Sequence, residues 1–114
     1  MDVGQVLKAA LVLFIIDLFW LFTGGKYATK MTEKIQGKPV SMRYESAIVV
    51  YLLLAYMLLQ TKSSLEAFLY GIAIYGVYDF TNYALLEGYD WKFAIADTLW
   101  GGILMVVARQ LLRL

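Results

Sequence analysis

The sequence predicts an all-α fold: a polytopic membrane protein built as a bundle of four transmembrane helices. Three observations carry that expectation. The chain of 114 residues is 61% hydrophobic, with a mean hydropathy of +0.66, whereas a soluble domain is roughly half apolar. One soluble core of this size cannot cover so many Leu, Ile, Val, Phe and Tyr side chains, so the excess must face a bilayer. Apolar stretches long enough to cross about 30 Å of hydrocarbon recur at about residues 5–23, 40–60, 65–86 and 91–112. Charged residues gather between these stretches, above all in the loop 24–43, and residues 1–114 read as a single domain.

Segment one runs from about Gln5 to Thr23. Its embedded Asp17 and bulky Trp20 leave no small-residue cleavage site, so it reads as a retained span and not a signal peptide. Lys8 can carry its ammonium back to the interface along its stem. Gly24-Gly25 is expected to end the helix. In the loop that follows, Tyr27, Met31 and Ile35 recur at a spacing of four beside Lys26, Lys30, Lys34 and Lys38. That pattern predicts a short amphipathic helix lying on the membrane surface.

Pro39 suits the first turn of segment two. The stretch Ala47–Leu59 holds no ionisable group except Tyr51 and Tyr56, and is assigned to lipid contact and packing. Ser63-Ser64-Leu65-Glu66 is a capping-box pattern that opens segment three. The link Thr61–Ser64 is so short that segments two and three are expected to pack as antiparallel neighbours. Glu87-Gly88-Tyr89-Asp90 reads as a turn with Asp90 capping segment four. Tyr89, Trp91 and Lys92 fall in one interfacial belt, Arg109 and Arg113 in the other.

Composition excludes several functions. A net charge of +1 gives no nucleic-acid surface. Cysteine is absent, which removes disulfides and thiolate sites, and histidine is absent too. Proton or cation chemistry therefore falls to Asp, Glu, Tyr and Lys. Nothing in the sequence calls for a cofactor, and whether a metal ion binds is left open.

The polarity of Tyr78-Asp79-Phe80-Thr81-Asn82 stands out inside an apolar segment. A helix in hydrocarbon carries such groups only towards each other or towards a wet cavity. Tyr75, Asp79 and Asn82 share one helical face with Gly71. Asp17 and Asp79 each precede the end of their segments by about two turns, and Asp97 follows the start of segment four by a similar distance. All three carboxylates then lie roughly 10 Å below one membrane surface, here called side A. Asp17-x-x-Trp20 and Asp97-x-x-Trp100 repeat one motif on antiparallel helices, with Trp20 directed to side A and Trp100 deeper. No Lys or Arg shares that depth. A central charge costs about 3 kcal/mol on insertion scales, so the layer calls for a shared proton or a cation. The bland alternative is a packing network in which Asp bonds Trp, Tyr, Asn or Thr across helices. Trp20 and Trp100 then act as hydrogen-bonding packers lining the layer, and the glycines allow close helix contacts.

Tyr78-Asp79-Phe80-Thr81-Asn82, Ala84-Leu85-Leu86, Gly88 and Asp97-Thr98-Leu99-Trp100-Gly101, with Asp17 and Trp20, resemble the family of small predicted membrane proteins catalogued as domain of unknown function 2177. The resemblance covers nearly the whole chain. Phe80 stands where the family usually has Leu, and the Pro often seen after its third span is missing. The family implies four spans and a membrane location, and supplies no activity.

Three functions compete on the residues alone. A small proton- or cation-coupled transporter or channel, completed by a homo-oligomer, would use Asp17, Asp79 and Asp97 with Tyr75, Tyr78, Thr81 and Asn82. A non-catalytic assembly protein would use the same residues as glue. A metal-dependent lipid enzyme would need the carboxylates to hold a divalent ion. The expected partners are the bilayer, a second copy and a small cation or solute. Lys26, Lys30, Lys34, Lys38, Arg43 and Lys92 on side A outweigh Lys8, Lys62, Arg109 and Arg113 on side B. Loop 24–43 is therefore expected in the cytoplasm, with both termini opposite.

Overall fold

Five helices and no strand form from this chain in the computed structural model, which describes residues 1–114. Helix α1 (Val3–Leu21) starts earlier than its apolar run suggests, because Asp2 and Gln5 form a capping box. The Asp2 carboxylate accepts from the Gln5 amide at 2.8 Å, and the Gln5 side chain accepts from the Asp2 amide at 3.0 Å.

Gly24 and Gly25 do not close α1. They open α2 (Gly24–Gln36), while the α1 backbone ends at Phe22 in right-handed geometry. The physical reason lies with Trp20, whose indole occupies the space that a Cβ on Gly24 would need. Helix α2 is amphipathic as expected: Met31 is buried, and Lys26, Lys30 and Lys34 are exposed. Met31 and Ile35 pack on Tyr89, Phe93 and Ala94.

Helix α3 (Tyr44–Leu59) begins later than the expected 40–60 segment. Pro39 lies outside it, in a connector held by α2. The Gln36 amide donates to the Lys38 and Pro39 carbonyls, and the Val40 amide donates to Glu33. Helix α4 (Ser64–Leu85) is capped by Ser63, which accepts from the Glu66 amide at 3.1 Å. The reciprocal half of the predicted box fails: Glu66 accepts from Lys62 instead. Helix α5 (Trp91–Leu111) is capped by Asp90, as expected.

In space the helices run α3, α1, α5, α4. The α4–α5 seam is the tightest, because a Cβ on Gly71 would land on the Gly101 backbone. Helices α3 and α4 barely touch, despite their short link. The expectation that they pack as neighbours is thus corrected: Leu54 and Leu58 of α3 and Ala67 of α4 enter one core whose other members, Ala9, Leu13, Leu104, Met105 and Ala108 among them, come from α1 and α5. Only 21 of 114 residues are buried, and large apolar side chains cover the outside of every long helix. An outside of that kind needs an apolar surrounding. Two helices, α1 and α5, are long and apolar enough to cross a membrane, and α3 is apolar but shorter.

Candidate functional site

The motif Asp-x-x-Trp places its two side chains about one turn apart on a single helix face. Because α1 and α5 are antiparallel, each Trp lies level with the other helix's Asp. Trp20 Nε1 donates to Asp97 Oδ1 at 2.7 Å, and Trp100 Nε1 donates to Asp17 Oδ1 at 2.8 Å. The two indoles stack between these bonds, with centroids 5.6 Å apart and planes 11° apart. The sequence shows the repeat but not this exchange, which exists only once the two helices are paired.

Tyr51 of α3 donates to the other oxygen of Asp17. A helix expected to serve only lipid contact and packing therefore supplies a polar group to the layer. Asp17 is 5% exposed and has a donor on each oxygen. Its site is closed by protein.

Asp79 of α4 has different company. It is fully buried, and Tyr89 donates to its Oδ1 at 2.7 Å. Its Oδ2 has no partner, nor has the buried Oγ1 of Thr98. Asp97 and Thr98 of α5 face this carboxyl group. Tyr89 is folded inward against Met31 and Ala94 and is 9% exposed. Burial, and secondly the bond to Asp79, push its phenol above the ordinary range.

The other expected site residues are divided. The Tyr75 ring occupies the space a Cβ on Gly101 would need, at the α4–α5 seam. Asn82 is half-buried beside the hydroxyls of Tyr78 and Tyr89, at the edge of the layer instead of within it. Thr81 is exposed and takes no part. Phe80 is exposed. Tyr78 is 62% exposed, but it lines a cleft of about 170 Å³ with Trp20, Met31, Tyr89, Phe93 and Asp97. Tyr51, Tyr89, Thr98 and Phe93 were missed by sequence reasoning. Only Tyr51 carried a signal, as one of two phenols in an otherwise aliphatic run.

Helix α2 roofs the cleft. The Tyr27 hydroxyl donates to the Asp90 carboxylate, and the Asp90 amide points at Met31 Sδ at 3.2 Å. The Tyr27 hydroxyl, followed by the Lys92 amide, holds the Asp90 carboxyl below the ordinary carboxylate range, and the same pairing raises the Tyr27 phenol. Below the roof, Tyr27 stacks on Phe93 at 5.8 Å and Phe93 on Trp20 at 6.4 Å. The aromatic column continues into the Trp20–Trp100 pair.

No three carboxylates gather within reach of one metal ion. The two carboxyl groups that approach each other are Asp79 and Asp97.

The chain belongs to the family described as "Predicted membrane protein (DUF2177)", whose model matches residues 3–111. No curated protein and no solved structure matches it.

Proposed function

We propose that the chain crosses the membrane four times, through α1, α3, α4 and α5, and moves a proton or small cation past Asp79 and Asp97. One observation carries this reading: the fully buried Asp79 has an unpartnered Oδ2 beside the Asp97 carboxyl group and the unpartnered Thr98 hydroxyl. A carboxylate pair without Lys or Arg at its depth needs a positive counterpart, either a proton or a cation. A packing network would instead have filled both oxygens, as it does at Asp17. Helix α4 has the length of a span, its Asp79 is buried, and its Asn82 is half-buried beside Tyr78 and Tyr89. Helix α3, about 24 Å long, would be accommodated by local thinning of the bilayer. Four short helices enclose little volume, so a second copy would complete a path. The lysine-bearing α2 would lie on the cytoplasmic face.

The test is ion flux into proteoliposomes. Asp79→Asn and Asp97→Asn should each abolish a flux that the wild-type chain supports. Unchanged flux in both variants, with folding intact, would sink the proposal.

A second reading, a non-catalytic assembly protein, is favoured by a separate observation. Asp17 ties α1, α3 and α5 together and has nothing left to offer a ligand. On that reading every Asp→Asn change lowers thermal stability while no flux is ever seen.

A further inference from the structure

We propose that the cleft roofed by α2 binds a small primary alkylammonium ion, held by Asp97. This names a substrate class for the reading above. Only the transport step rests on that reading, because binding is measurable by itself.

The cleft of about 170 Å³ is smaller than the roughly 300–1,000 Å³ of pockets for drug-sized ligands. Its occupant must be small. Asp97 is the one carboxyl group on its walls, which carry no Lys or Arg. An anion is therefore repelled, and a neutral solute leaves the carboxylate without a partner. Trp20 donates to Asp97 Oδ1, and the carboxyl group also faces Asp79. Its remaining 7% exposure opens into the cleft.

The walls then select among cations. A bare alkali ion would shed water against rings and the Met31 thioether, with few oxygens to replace its shell. A primary alkylammonium keeps N–H donors for Asp97 and lays its carbon tail along those same walls. The faces of Trp20 and Phe93 are engaged by stacking on Trp100, on Tyr27 and on each other. Tyr78 is not in that stack and has a ring face free for the cation.

Free amines and ethanolamine phospholipid headgroups both carry this group, and the membrane composition separates them. The full chain is placed in phosphatidylcholine nanodiscs and titrated with ethylammonium chloride, with sodium chloride at matched ionic strength as reference. Trp20 on the cleft wall reports through tryptophan fluorescence. A saturable response to ethylammonium is expected and none to sodium. Asp97→Asn keeps an acceptor for Trp20 but removes the charge, and should weaken binding by about tenfold or more. Tyr78→Leu, at an exposed position, should weaken it about threefold. In nanodiscs containing ethanolamine phospholipid, competition assigns the site to the headgroup and its lack assigns it to the free amine. A response equal to that of sodium overturns the proposal, as does unchanged affinity in folded Asp97→Asn. Should Asp97→Asn not fold, unchanged affinity in Tyr78→Leu overturns it instead. Binding without flux would keep the site and remove transport.

Discussion

Asp17 and Asp79 are the same residue type, buried to nearly the same degree in one small bundle, yet the protein treats them differently. Asp17 receives a donor on each oxygen, from Tyr51 and Trp100, so three helices converge on it. Asp79 receives one donor, from Tyr89, and keeps a buried oxygen without a partner beside Asp97 and Thr98. The difference teaches that a buried carboxylate is not by itself a functional signal. What separates a clasp from a site is whether the protein has filled its acceptors.

The largest expected effect separates the two regions physically. Gly71→Ala would drive a Cβ onto the Gly101 backbone, where no flexible side chain can give way. Forced overpacking costs about 1–3 kcal/mol, so a clear fall in thermal unfolding temperature in detergent is expected. Helix α4 should part from α5, taking Asp79 from Asp97, while the Asp17 clasp on α1, α3 and α5 survives. Loss of both regions together would show that they are one unit.

Next comes the direct contrast. Asp17→Ala strips partners from Tyr51 and Trp100 together, and interhelical bonds in membranes average about 0.6 with a maximum near 1.7 kcal/mol. A loss of about 2 kcal/mol is expected for Asp17→Ala, and for Asp79→Asn one too small to register. Thermal unfolding of the two variants side by side measures it. Equal losses would erase the distinction.

A smaller effect probes the exchanged indoles. Trp20→Phe leaves Asp97 without a donor, whereas Trp100→Phe leaves Asp17 with Tyr51. Both should destabilise by about 1 kcal/mol, with Trp20→Phe the more damaging. The reverse order in chemical denaturation would contradict the donor count.

The smallest effect concerns the roof. Asp90 has its acidity strengthened by Tyr27, so the latch is complete above the usual 3.8 and lost as pH falls through the lower folded value. The Tyr27 phenol is raised, so its half is complete below the ordinary 10.0 and lost as pH climbs through the higher folded value. Protection factors of the α2 amides, with the intrinsic pH dependence of exchange divided out, should therefore be flat between these limits and fall outside them. Tyr27→Phe should remove both edges.

Much of this molecule was legible in its residues. Apolar runs placed four of the five helices, and the four-residue spacing of Tyr27, Met31 and Ile35 placed α2. These are local properties, set by the backbone period and by the solvent each side chain requires. Partnership was not local. That Trp20 serves Asp97 and Trp100 serves Asp17, that Tyr51 turns inward and Thr81 outward, and that α3 leaves α4 for α1 depend on which helix faces lie opposite. Above all, the unpartnered oxygen of Asp79 was invisible in the sequence. The five residues Tyr78–Asn82 offer the donors to fill it, and only the packing of α4 on α5 decides that none of them does.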